Sequence, residues 1–135
     1  MKLSVENYVI RSAFGDQKAI EMIADAGFDA MDFSFYWMPD SDNFLAQDNY
    51  LSYARQVRAW ADERGLAITQ AHAPFDFKYA DDPEKQRHDR ELIRRSIECA
   101  GIMGVKQIIV HNVPTPDPEE FISYNLGFFR SFEET

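Results

Sequence analysis

Apolar positions along the 135 residues switch repeatedly between two spacings. Short runs read as strands, and longer stretches with apolar residues three and four apart read as helices. KLSV (residues 2–5) is the first strand candidate. Asp16 then caps a helix whose inward stripe is Ala19, Ile20, Ile23 and Ala24, and Gly27 ends it. FDAMDFSF (28–35) is the second strand. Tyr50, Tyr53, Ala54, Val57 and Trp60 mark a second helix, and Gly65 marks its junction with the strand in LAITQAH. A third helix is expected from about Asp82 to Met103, with Leu92, Ile93, Ile97 and Ala100 inward. Gly104 follows it, and VKQIIVH (105–111) is the fourth strand. Asp117 and Pro118 open a last helix, a capping residue followed by proline in the first turn. Its buried side is expected to carry Phe121, Asn125, Phe128, Phe129 and Phe132.

The resulting order is βαβαβαβα in one domain, residues 1–135, with strands starting near 2, 30, 67 and 107. Strands separated by helices imply parallel pairing with right-handed crossovers. An open doubly wound sheet and part of a βα barrel both satisfy this order. No GxGxxG or GxxxxGK[ST] follows the first strand, so the nucleotide-binding versions of the open sheet are unsupported.

Charge narrows the functional classes. Fourteen Lys and Arg against 23 Asp and Glu give a formal charge of −9, which disfavours nucleic acid as a partner. No apolar stretch reaches the roughly 20 residues of a membrane helix, so no membrane association is expected. MKLSVENYVIRS lacks the apolar segment of a secretory signal. A single cysteine, Cys99, suits a reducing cytoplasm and reads as a small buried apolar side chain.

Candidate chemistry lies at the strand ends, where parallel α/β sheets gather their functional groups. Those positions are Glu6 or Asn7, Asp32, His72, and His111 with Asn112. A lone histidine there can equally be a satisfied core residue. The third and fourth strands are neighbours, however, and would bring His72 and His111 to one mouth. Neutral imidazole suits zinc or manganese and also carries protons near neutral pH. Two histidines fall short of the three protein ligands of a catalytic metal site. In the loop FYWMPD, Trp37 offers a ring to stack on a sugar or to plug the loop. His88, within EKQRHDREL, reads as solvent-facing.

AGFDAMDFSF, HAPF (72–75), IIVHN (108–112) and the stretch IRRSIECAGIMGVKQIIVH together resemble the xylose-isomerase-like TIM barrels. That family includes sugar (phosphate) isomerases and epimerases and the zinc-dependent abasic-site endonucleases. Asp32 stands where the family usually has glutamate. The resemblance implies that His72 and His111 match positions that bind metal in the endonucleases and line the substrate pocket in the isomerases. The candidate substrate-binding set is Glu6, Asp32, Trp37, His72, Phe75 and Asn112, and the candidate metal ligands are His72 and His111. Family members carry eight βα units, and this sequence carries four of about 34 residues. Eight such units would give ~270 residues, near the ~250 typical of the barrel. The Glu, Asp, His and Glu that hold the isomerases' catalytic metal lie on strands five to eight, which have no counterpart here.

The expected fold is therefore four parallel βα units equivalent to the amino-terminal half of a (β/α)8 barrel. The apolar runs IIV and LAI call for cover on both faces, and two sheet edges stay open. A homo-oligomer, a dimer completing the ring, is the expected partner arrangement. Two functions stay open. One is a truncated or half-barrel relative of metal-dependent isomerases or epimerases of a small sugar or sugar phosphate, using zinc, manganese or cobalt. The other is a non-catalytic remnant or interaction module without the metal cage.

Overall fold

The computed structural model describes residues 1–36, 42–75, 77–79 and 82–133. Four strands, β1 (Ser4–Glu6), β2 (Ala30–Ser34), β3 (Ala67–His72) and β4 (Ile108–Ile109), form one parallel sheet in the order β1-β2-β3-β4. Between them run α1 (Tyr8–Phe14), α2 (Asp16–Asp25), α3 (Tyr50–Glu63) and α4 (Pro83–Ile102), and α5 (Pro118–Arg130) follows β4. A 3-10 turn at Phe44–Ala46 precedes α3. The half-barrel expectation holds in strand number, direction and order.

One local device recurs at the helix-to-strand junctions after α2, α3 and α4. Gly27, Gly65 and Gly104 have φ of 84°, 63° and 75°, the left-handed region that side chains disfavour. After α3, Gly65 N–H donates to Asp62 C=O and Leu66 N–H to Ala61 C=O, which is the Schellman pattern. Gly27 with Phe28, and Gly104 with Val105, repeat it against Ala24 and Ile23 and against Gly101 and Ala100. Each following residue is apolar and enters the core cluster, so the turn delivers the chain directly into the next strand.

The starts of the last two helices follow the sequence. Asp82 accepts from Glu84 N–H and Lys85 N–H, and Asp117 accepts from Glu119 N–H. Asp16 behaves differently from the expected cap. Gly15 occupies the N-cap of α2, and Asp16 instead forms a buried pair with Arg11, Nε to Oδ1 at 2.7 Å and Nη2 to Oδ2 at 3.1 Å. Arg11 lies on α1, a helix absent from the periodicity reading. Its Nη1 also donates to Ser34 C=O at 2.6 Å, while Asn7 Oδ1 accepts from Ser34 N–H. The pair thus clamps the carboxyl end of β2 to the α1–α2 corner. The Tyr53 hydroxyl donates to the same carboxylate, and burial, reinforced by Asp16, pushes its phenol above the usual range.

The core lies between sheet and helices. Met31, Phe33 and Phe35 pack with Ile20 and Ile23 of α2, Ala54 and Val57 of α3, and Leu92, Cys99 and Ala100 of α4. Cys99 is buried as expected, and burial raises its thiol to about 12, which leaves it protonated and inert at neutral pH. A second cluster joins Ala73, Ile93, Val113 and Phe128. On α5, Asn125 and Phe128 are buried as expected, but Phe129 is 39% exposed. Asn125 is buried because it ties down the loop after β4: it accepts from Val113 N–H and donates to Val113 C=O.

The other face of the sheet differs from expectation. It is largely polar, with Glu6, Asp32, Ser34, Gln70 and His72 on it. The LAI run points one way at Ile68, and Ile109 is exposed.

The pairing of β2 with β3 explains how His72 reaches this face. Met31 pairs with Ile68, but Asp32 pairs with Gln70, so Thr69 is an extra residue in β3. Ile68 packs on the helix side. Strict alternation would put residues 70 and 72 on that side too, and the bulge shifts them to the opposite face.

Candidate functional site

The carboxyl ends of the strands open into a cavity of about 330 Å³ lined by Glu6, Tyr8, Ser34, Tyr36, His72, Phe75 and His111. Each strand contributes. Glu6 ends β1, and Ser34 with the following Tyr36 continues β2 on the same face. His72 ends β3, and His111 follows β4. The two histidine rings lie 5.8 Å apart between centres with planes at 24°, so the expected meeting of His72 and His111 occurs.

One wall is an unbroken aromatic arc. Tyr8 and Tyr36 have ring centres 4.2 Å apart, Tyr36 and Phe75 4.5 Å, and Phe75 and His111 4.7 Å. Apolar rings in tilted and edge-to-face contact, beside a carboxylate, a hydroxyl and imidazoles, make a pocket amphipathic in the way polyol ligands are.

Asp32 sits beside His72 rather than in the cavity lining. Its Oδ1 lies 3.1 Å from His72 Nδ1, and its Oδ2 accepts from Gln70 Nε2 at 2.6 Å. Asn112 is exposed and also stays outside the lining. Trp37 falls outside the described residues, and His88 is exposed as expected. Tyr8, Ser34, Tyr36 and Gln70 were not singled out from the sequence. The alternation of Asp32, Ser34 and Tyr36 at every second position was the signal available for two of them.

Two imidazoles bound to one tetrahedral ion at about 2.0–2.1 Å would have ring centres roughly 5–6 Å apart. The His72–His111 spacing suits such sharing, and the donor type suits zinc, manganese or cobalt. Among the described residues no group of three or more His, Cys, Asp or Glu side chains forms a metal cage.

A second cavity, of about 360 Å³, lies where α1, α2, the 3-10 turn and α3 meet, lined by Arg11, Asp16, Asn43 and Tyr53 among others. Its Arg11 and Asp16 are already bonded to each other, and Asp16 also accepts from Tyr53, which leaves less of them for a ligand.

The fold is that of half a parallel βα barrel. Residues 20–133 match the xylose isomerase-like TIM barrel family, and the chain belongs to that family. A search of curated proteins gives no match. Among solved structures, a xylose isomerase domain protein from Alicyclobacillus acidocaldarius superposes with a TM-score of 0.64 at 13% identity, over 98% of this chain and 44% of that one. The 3-keto-D-glucoside 4-epimerase from E. coli gives 0.60 at 20% identity, over 98% of this chain and 51% of that one. A sugar phosphate isomerase/epimerase from Parabacteroides distasonis gives 0.61 at 13% identity, over 98% and 47%. This chain thus spans about half the length of these structures. Among its described residues no helix is long and apolar enough to cross a membrane.

Proposed function

We propose that this chain supplies the amino-terminal half of a site that isomerises or epimerises a small sugar or sugar phosphate by moving a proton next to its carbonyl. The observation that carries this reading is the convergence of Glu6, Ser34, His72 and His111 in one cavity against the aromatic arc. Tyr36 and Phe75 would offer apolar ring surface to the C–H groups of a sugar, and Ser34 and Glu6 would bond its hydroxyls. The Glu6 carboxylate is the group suited to take the proton from the carbon beside the carbonyl and hand it on. His72 and His111 would hold a zinc, manganese or cobalt ion, which when bound stabilises negative charge on the carbonyl oxygen.

The missing ligands and the missing wall come, in this reading, from a second copy of the chain that completes an eight-stranded ring. The two terminal strands of the sheet, β1 and β4, support that arrangement, since each leaves one edge for pairing. A second reading, a binding module that keeps the fold without chemistry, draws support from the incomplete metal cage among the described residues.

The test is exchange of substrate hydrogen. With zinc, manganese or cobalt present, the protein should catalyse deuterium uptake from D2O at the carbon beside the carbonyl of simple ketoses or their phosphates. Glu6→Gln should abolish uptake and leave sugar-dependent thermal stabilisation in place. Stabilisation by sugar without exchange in the unmodified protein would favour the binding module.

A further inference from the structure

We infer that Asp32 is a positioning residue: it holds the His72 ring in the tautomer with the proton on Nδ1, so that Nε2 is left as a free lone pair for the cavity. The inference rests on the reading of His72 as a functional group of this cavity and assigns how that group is set.

Both oxygens of Asp32 are engaged, one by His72 Nδ1 at 3.1 Å and the other by Gln70 Nε2 at 2.6 Å. A carboxylate so occupied is poorly placed to bind substrate itself, and Asp32 does not line the cavity, whereas His72 does. The side chains are 14% and 23% exposed, so water competes only weakly for this contact. A carboxylate is an acceptor, and a ring nitrogen facing it in neutral imidazole is the protonated one. The other nitrogen must then carry the lone pair, the form needed by a metal ligand or a base.

The bulge makes the arrangement possible. Asp32 pairs with Gln70 across the two strands, and Thr69 brings Gln70 and His72 onto the face of Asp32. Gln70 completes the set by fixing the carboxylate from the far side. His111 stacks on His72 and lies tilted against Phe75, aromatic neighbours that do not dictate a tautomer.

The experiment is 15N-detected imidazole NMR on the metal-free protein at a pH where the rings are neutral. His72 should show protonated Nδ1 and unprotonated Nε2 shifts, with His111 as internal control. In Asp32→Leu, His72 should move toward the Nε2–H form that free imidazole side chains favour, with the His111 signals unchanged. An Nε2–H His72 in the unmodified protein overturns the inference, and this reading does not depend on the variant folding. So does a folded Asp32→Leu protein with an unaltered His72 tautomer. Cobalt titration of the same samples provides a second readout, and the variant should bind roughly 10- to 100-fold more weakly. Equal cobalt affinity in both proteins would also overturn it. No cobalt binding by the unmodified protein would defeat the metal-site reading alone, and the tautomer result would then decide this one.

Discussion

The middle of the sheet and its two ends are built to different standards. Between β2 and β3 lie Met31, Phe33 and Ala71, fully buried under α2, α3 and α4. Among the described residues, every large apolar side chain left exposed belongs to the segment Met1–Met22 or the segment Ile109–Phe129. The first group includes Leu3 and Val9 beside β1, and the second includes Ile122, Leu126 and Phe129 on α5. The central units satisfy themselves, and the terminal ones present apolar surface at the open edges, β1 and β4. Burial in a βα layer is thus completed by neighbours on both sides, and a unit with one neighbour keeps part of its apolar face.

Three experiments would break or sharpen that contrast. Phe33→Ala should have the largest effect, about 3–5 kcal/mol, because it opens a cavity where no edge can relax to fill it. Urea unfolding with an unchanged slope would measure it, and a loss under ~1 kcal/mol would mean the centre is packed no better than the ends. Asn125→Ala comes next. It leaves Val113 N–H and C=O without their partner in a buried place, at about 1–3 kcal/mol each way the loop fails to find water. The expected signature is faster amide exchange at Val113, with Ile93 still protected.

The triple change Ile122→Ser, Leu126→Ser and Phe129→Ser should alter the stability of the isolated chain least, within about 0.5 kcal/mol per site. Its effect should appear in sedimentation instead, as weaker self-association than the unmodified protein shows. If association is present and unaffected, the α5 stripe lies outside the contact between copies.

Much of this architecture was legible in the residues. Gly27, Gly65 and Gly104 announced three helix-to-strand junctions, because each follows an amphipathic stripe and precedes an apolar run. Asp82–Pro83 and Asp117–Pro118 announced two helix starts. The meeting of His72 and His111 followed from adjacent strands alone. What stayed hidden depends on contacts distant in sequence. Asp16 looks like a cap until Arg11 claims it, and Arg11 belongs to a short helix with too few turns to show a period. Phe129 fits the apolar stripe of α5, and no local pattern says which flank has a neighbour. Asp32 read as a pocket residue from its strand-end position, although its two oxygens are directed to Gln70 and His72. The polar face of the sheet escaped because the apolar runs LAI and IIV suggested cover on both faces.

That last strand poses a problem of parity. Ile68 must face the helices and His72 must face the mouth, and four positions, an even number, separate them. An even step returns a regular strand to the side it left, so no choice of side chains alone could meet both demands. Thr69 supplies the odd count. The insertion therefore belongs to the chemistry as much as the imidazole does. Anyone transplanting HAPF onto an idealised strand would have to carry Thr69 with it, or find the histidine delivered into the core.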